Sequence, residues 1–319
     1  MDIDLYEDWM RPQILKLFAN EYGISEEEFS SIFDNFYDHP YQKGKCIRII
    51  AKEDKTVIGF QSFFYWPYTC EGTRYNVFQS GNSLVHPDHR GKGVFRHLLD
   101  YLEKNQSTLK IDTLVGFPID VSVGSLIRNK WSNILNLNWY IKPISFFSLF
   151  RKANYDELQK IFPYKSVDLV KEPVMDMLKM ATDKEFAEWR KTLYSKNKYY
   201  SFHFKNGEGE LLLEMKLNIR KKYIKELIIG NLCSSNYDKS FLELALKSFV
   251  SRLRETKCIG MVSMALNRQG DVLLEKLLQQ QGFRRIERKI YFCVKPFSEA
   301  QLFKDPARWM IYRGDIDTW

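Results

Sequence analysis

The chain has 319 residues, 45% hydrophobic and 28% charged, with a formal net charge of +8, a composition that excludes a disordered or collagen-like protein and fits a soluble globular one. The positive excess is uneven: residues 1–150 sum to −2 and residues 151–319 to +10, so any polyanion-binding argument concerns the second half. No run approaches the ~18 apolar residues of a spanning helix, and the acidic start Met1-Asp2-Ile3-Asp4 lacks the basic flank of a signal peptide, so the expected setting is cytoplasmic and without a membrane span.

The first forty residues read as helical, with Ser25 and Glu28 forming a capping box ahead of Phe29, Ile32, Phe33 and Phe36. Strands follow at 46–51, 57–65 and 77–85, rich in β-branched and aromatic residues, the first two joined by the turn Glu53-Asp54-Lys55. Val94, Leu98, Leu99 and Leu102 then share one helical face. A strand at 113–117, a helix around 122–129 and a strand near 134–141 complete a mixed α/β layer. After Arg151 come a linker, a helix at 185–193, strands at 199–204, 210–217 and 223–232, a helix at 239–253, a strand at 258–264, a helix at 271–281 and a strand at 286–294. This order repeats that of residues 45–141, so two tandem copies of one α/β fold are expected, divided into residues 1–150 and 151–319.

The segment richest in chemistry runs from Ser83 to Leu99. A strand ends at Val85, a turn follows, and Gly91 and Gly93 stand where a helix begins. The first N–H groups of a helix have no internal partner and its dipole end is positive, so this turn suits a phosphate or pyrophosphate. The two glycines remove Cβ atoms from the path of the anion, while Arg90, Lys92 and Arg96 add charge. Neither G-x-x-x-x-G-K-[ST] nor G-x-G-x-x-G is present.

Val85, Pro87, Arg90 and Gly93, leading into the leucine-rich helix, resemble the V-x-P-x-x-[R/Q]-x-x-G-x-[G/A] signature of the GNAT acetyltransferase superfamily; Phe95 replaces the small last residue. The resemblance implies an acetyl-CoA-dependent N-acetyltransferase with Arg90, Gly91, Lys92, Gly93, Val94 and Phe95 around the pyrophosphate. It also implies that Leu84 and Val85 lend backbone groups to the pantetheine arm. The strand ending in Val115-Gly116-Phe117-Pro118 is then expected to splay away and open a slot for the thioester. Family members often carry a tyrosine acid five residues before the aromatic of a closing G-F pair; here the pair is Lys130-Trp131 and the earlier position holds Leu126. The polar candidates for proton handling are therefore Asn82, Asp120 and Ser122, the last two also being natural helix caps; catalysis by positioning, with solvent handling the proton, is equally open. In the second half, Leu232 to Lys239 has neither glycine nor arginine before the helix, whereas Gln281-Gly282-Phe283 resembles the family's closing pair. A degenerate second GNAT-like domain without a cofactor motif is expected.

The two-domain layout resembles bacterial members found with surface-polysaccharide synthesis, which implies a small amine acceptor such as an amino sugar or nucleotide sugar. Two other classes remain open: an aminoacyl-tRNA-dependent transferase using the +10 half, and a non-catalytic acyl-CoA-binding protein. No metal is expected. His86, His89 and His97 have no carboxylate or cysteine cluster to complete a set, Asp315-Ile316-Asp317 does not follow a mid-chain strand, and the cysteines Cys46, Cys70, Cys233, Cys258 and Cys293 form no C-x-x-C pair. Trp309 and Trp319 are read as pinning the tail to the domain surface. The basic turn Asn218–Lys222 and the run Arg284–Lys289 read as solvated strand edges, with an anionic acceptor such as a nucleotide sugar or a tRNA as the alternative, and Tyr65, Trp66 and Tyr68 as acceptor-stacking rings or as core and rim packing.

Overall fold

The computed structural model describes residues 1–181, 183–193 and 197–319. Its first run of elements is β1 (Asp2–Leu5), α1 (Arg11–Tyr22), α2 (Glu26–Phe33), β2 (Ile47–Glu53), β3 (Thr56–Tyr65), the short β4 (Tyr68–Cys70) and β5 (Thr73–Tyr75), β6 (Val77–Val85), α3 (Val94–Asn105), β7 (Thr113–Gly116), α4 (Asp120–Arg128) and β8 (Ser132–Pro143). The second is α5 (Tyr155–Ile161), β9 (Leu178–Met180), α6 (Lys184–Leu193), β10 (Tyr199–Asn206), β11 (Gly209–Arg220), β12 (Ile224–Ser234), α7 (Lys239–Glu255), β13 (Met261–Leu266), α8 (Val272–Gln280), β14 (Arg284–Pro296), α9 (Ala300–Lys304) and β15 (Trp309–Met310). Antiparallel β2-β3-β6, then α3, then β7 parallel to β6, is matched by antiparallel β10-β11-β12, then α7, then β13 parallel to β12. The fold is mixed α/β and tandem. No helix among the described residues is long and apolar enough to cross a membrane.

Two compact units result. One takes Met1–Tyr68, Arg74–Ile134 and Tyr291–Lys304, the other Thr69–Thr73, Leu135–Ile290 and Asp305–Trp319. The division does not fall at residue 150, where the sequence placed it, because each unit takes its closing strand from the other half of the chain. In the first unit β7 is flanked by the end of β14, with Cys293 opposite Gly116 and Val294 opposite Val115. In the second, β13 is flanked by β8, with Met264 opposite Tyr140.

The first unit packs its sheet between two apolar layers. Val94, Leu98, Leu99 and Leu102 of α3 bury against Ile47, Ile49, Ile58 and Leu114, each such side chain contributing about 2 kcal/mol. Gly59 lets α3 approach, since a Cβ there would meet Val94 Cγ1 at 2.8 Å. In the α1 and α2 layer, Phe18 stacks on Phe29 at 4.8 Å and meets Phe60 edge-on at 5.4 Å. Ser25 caps α2, its Oγ accepting the Glu28 N–H at 3.1 Å. The strand β1 is unexpected; it pairs antiparallel with β2, Ile3 opposite Ala51.

The closing pair is instructive. Trp131 is buried beside Leu126, and the preceding Lys130 has φ +64°, the left-handed conformation that Gly282 holds at +83° before buried Phe283 in the second unit. A Cβ in this region costs about 1 kcal/mol. Lys130→Gly is therefore expected to raise the melting temperature by a few degrees; a lower value in differential scanning calorimetry contradicts this assignment.

In the second unit, Phe241, Leu242, Leu246 and Phe249 of α7 pack on Leu211, Leu213, Leu227 and Ile229 of the sheet. Trp309 and Trp319 are buried, 0% and 3% exposed, rather than laid on the surface. Arg190 holds the tail by donating to the Gly314 and Ile316 carbonyls at 2.5 and 2.9 Å. Burial pushes the Asp315 carboxyl up to about 7. A folded value above the unfolded value of about 3.9 means that stability is full below that pH and lost as pH rises through 7. Asp315→Asn is expected to melt above wild type at pH 8 and close to it at pH 4; a gap that narrows with rising pH refutes the sign.

Candidate active site

The site grows from the end of β6. Val77, Phe78 and Gln79 pair with Thr113, Leu114 and Val115 of β7, and among the described residues the ladder stops there. On its other side β6 stays paired with β3 as far as Val85 opposite Gly59. The two parallel strands thus fork after Gln79, and Gly116 stands at the base, its Cβ position 3.7 Å from Ser80 Cβ. Backbone groups from Ser80 to Val85 face an edge that β7 does not cover, a shape that accepts an extended amide-bearing chain by strand-like hydrogen bonding. A register shift of the β3–β6 ladder between Gln61 and Phe63 bends β6 at Gly81 and Asn82. Only glycine fits at 81, since a Cβ there would lie 2.4 Å from the Phe64 ring.

Beyond Val85 the chain makes a short 3-10 turn, Pro87–His89, and then enters α3. Gly91 and Gly93 have φ +77° and +81°, so both take the left-handed region that favours glycine. Gly93 is the N-cap of α3 and no side chain caps the helix, leaving its first N–H groups and positive dipole end for an anion. A Cβ at Gly91 would meet nothing within 4 Å, so the space before the helix is open. Lys92 is exposed beside it.

Two predicted residues stand differently from their sequence-based roles. Arg90 donates through Nε to the Val85 carbonyl at 3.0 Å and pairs with Glu21 at 2.6 Å, so it fixes the turn as well as adding charge. Phe95 is half-buried and packs against the core of the first unit.

Of the polar candidates, Asn82 is the best connected. Its Oδ1 accepts the Tyr37 hydroxyl at 2.7 Å, and the same hydroxyl lies 2.9 Å from Ser62 Oγ, which donates to the Asn82 carbonyl at 3.3 Å. Tyr37 is buried, and burial raises its hydroxyl well above the usual tyrosine range; it stays a proton donor and holds the Asn82 amide with its oxygen engaged. Asp120 is the first residue of α4, exposed, and its carboxylate bonds the Tyr291 hydroxyl, raising that group's pKa. Ser122 caps α4, its Oγ accepting the Ile119 N–H at 3.1 Å. The fork thus brings Asn82 to its β6 side and Asp120 to the helix after its β7 side. Tyr37, Ser62 and Tyr291 escaped sequence reading; the aromatic run before residue 40 was the single signal for Tyr37. Tyr65, Trp66 and Tyr68 are half-buried or buried, with Tyr65 packing on Phe78 at 5.6 Å, so Trp66 and Tyr68 present no face for stacking.

The corresponding strand end in the second unit is filled by the chain itself. The Glu172 carboxylate accepts the Ser234 N–H at 3.1 Å and the Tyr237 hydroxyl at 2.6 Å, and it pairs with Lys179. Lys179 in turn donates to the Leu232 carbonyl at 3.0 Å. Gly230 and Asn231 are the counterparts of Gly81 and Asn82; Gly230 lies under Trp319, whose ring would be 2.1 Å from a Gly230 Cβ, and Asn231 Nδ2 donates to Glu214 at 2.7 Å.

Residues 3–125 match the family model of the acetyltransferase (GNAT) domain. By that match this stretch is similar to a GNAT domain. No curated protein matches the sequence. Among solved structures, the chain is similar to a GCN5-related N-acetyltransferase from Anabaena variabilis, at 13% identity and TM-score 0.63 over 94% of this chain and 74% of that one. It is likewise similar to a conserved protein of unknown function from Enterococcus faecalis, 9% identical with TM-score 0.65 over 93% and 72%. A third, a GCN5-related N-acetyltransferase from Kribbella flavida, is 12% identical with TM-score 0.53 over 92% and 72%. At these identities the likeness shows the fold. The glycine turn and the β6–β7 fork both lie inside the GNAT domain match, as does Asp120. Among the described residues no group of three or more His, Cys, Asp or Glu is placed to hold a metal ion.

Proposed function

We propose that the chain is an acyl-CoA-dependent N-acyltransferase using acetyl-CoA as donor and a small amine, such as an amino sugar or its nucleotide, as acceptor. The carrying observation is the junction of an uncapped helix N-terminus behind two left-handed glycines with a parallel-strand fork. These residues fit the donor: an anion has open N–H groups from Gly93 onward, and an extended arm has the free edge of β6. Acetyl-CoA, when bound, supplies a thioester open to attack by a neutral amine.

In this reading the N–H groups of Gly91 through Phe95 and the Lys92 ammonium hold the pyrophosphate. Backbone groups of Leu84 and Val85 hold the pantetheine arm. Asn82, with its oxygen taken by Tyr37, has amide hydrogens to offer the carbonyl. Asp120 accepts the proton of the incoming ammonium; when the amine nitrogen bonds to the acyl carbon the C–S bond would break, and the second proton shed by the nitrogen would pass through solvent to the departing thiolate, with positioning at the fork favouring the attack. Ser122 remains a cap. The second unit carries no donor; its matching strand end meets Glu172, Lys179 and Trp319 instead.

Asp120→Ala is expected to lower kcat about a hundredfold while acetyl-CoA still raises the melting temperature. Thiol release against a panel of amino sugars, amino acids and polyamines reads it. Unchanged kcat removes Asp120 from the mechanism. Donor binding without thiol release across the panel favours a binding protein, and salt-sensitive tRNA binding without a donor-induced shift favours an aminoacyl-tRNA-dependent transferase.

A further inference from the structure

The apolar stretch Pro143–Phe150 and the basic turn Asn218–Lys222 have no part in the donor site, and in the second unit they come together. The short 3-10 turn Phe146–Phe150 leaves Phe146, Phe147 and Phe150 exposed by 72%, 74% and 80%. The rings of Phe146 and Phe150 lie edge to face at 6.1 Å. Three phenylalanines so exposed within five residues form a patch that a water-facing surface does not keep without use.

The backbone beneath the patch is firmly held. The Lys225 ammonium, almost fully buried, donates to the Ser148 carbonyl at 2.6 Å and to the Tyr223 carbonyl at 2.9 Å. The Ile144 N–H donates to the Gly260 carbonyl at 2.9 Å, and a Cβ on Gly260 would lie 2.7 Å from Ser148 Oγ. One cation thus ties the phenylalanine turn to the turn between β11 and β12. There Tyr223 is 64% exposed and Lys221 and Lys222, both at positive φ, are exposed. Arg151 and Lys152, also exposed, follow Phe150 directly. Residues 143–152 and 218–225 contain no Asp or Glu; the adjoining Glu226 is fully buried, bonded to Ser263 Oγ at 2.6 Å.

We propose that this aromatic and basic face docks the second unit on an anionic lipid surface, with the phenylalanine rings entering the interface and the surrounding cations meeting the headgroups. Charge complementarity selects this occupant. Aromatic rings prefer the headgroup level, and a basic rim around an apolar tip is the combination that holds a protein on such a surface without spanning it. The proposal is independent of the acyltransferase reading.

The test is sedimentation of the full chain with vesicles of phosphatidylcholine alone and of phosphatidylcholine mixed with phosphatidylglycerol, at low and high salt. Co-sedimentation with the mixed vesicles, lost at high salt, is expected. A Phe146→Ser, Phe147→Ser, Phe150→Ser variant should remain in the supernatant with its melting temperature unchanged. Lys221→Glu with Lys222→Glu should weaken partitioning at least tenfold, from roughly fivefold per basic residue. Wild type that stays in the supernatant overturns the proposal, as does equal binding to neutral vesicles or vesicle binding by the triple variant. A wild-type dimer in light scattering that the triple variant makes monomeric, with no vesicle binding by either, assigns the face to self-association and likewise overturns it.

Discussion

Gly93→Glu is expected to abolish acetyl-CoA binding. Position 93 is the N-cap of α3 at φ +81°, so the substitution places a carboxylate where the helix dipole and open N–H groups would receive the pyrophosphate, and forces a side chain into left-handed backbone. The backbone cost is about 1–2 kcal/mol, which a folded domain absorbs. The electrostatic reversal acts on the anion alone. In wild type, donor at a hundredfold excess over Kd should add about 2.7 kcal/mol of stability, a rise of a few degrees. In the variant that rise should vanish, with circular dichroism unchanged at the assay temperature. Gly91→Ala separates the two effects, since its Cβ meets open space and it should keep part of the shift. A Gly93→Glu protein that still gains stability from acetyl-CoA shows that the donor does not use this turn.

Trp319→Ala should give the largest loss of stability. The indole is buried over Gly230 and donates to Glu214 Oε2 at 3.2 Å, while the main-chain carbonyl of Trp319, which the substitution keeps, accepts the Tyr199 hydroxyl at 3.1 Å. Removing a buried tryptophan costs about 3–5 kcal/mol, and Glu214 would keep Asn231 Nδ2 at 2.7 Å and the Tyr164 hydroxyl at 3.1 Å as donors. A fall of roughly 10 °C in melting temperature is expected. Trp319→Phe, which keeps a ring but loses the N–H, should fall about a third as far. Equal losses in both variants would place the stabilisation in the hydrogen bond rather than in the packing.

What the sequence made legible follows from local physics. The leucines of α3 at helical spacing, the alternation through β6 and the paired glycines before the helix are short-range signals, and they place the strand, turn and helix of the candidate site closely. The Ser25 cap is of the same kind. The strand β1 was hidden because its alternation of Asp with Ile and Leu is only four residues long. The exchange of β8 and β14 was hidden because both read as good strands whichever neighbour they take; partner choice is tertiary. The same holds for Asn82. Its type suggested chemistry, but the Tyr37 hydroxyl that holds it comes from 45 residues away. Arg90 was assigned to the anion from its motif position, and nothing nearby announced Glu21. Trp319 looked like a surface anchor because a tail gives no sign of the glycine that receives it.

Isothermal titration of acetyl-CoA into the full chain tests the central claim most directly, because the glycine turn stands in the first unit and the second unit's matching strand end is filled by Glu172, Lys179 and Trp319. The predicted result is one donor molecule per chain, lost in Gly93→Glu and retained in Glu172→Gln. Two molecules per chain, none, or one that survives Gly93→Glu would contradict it.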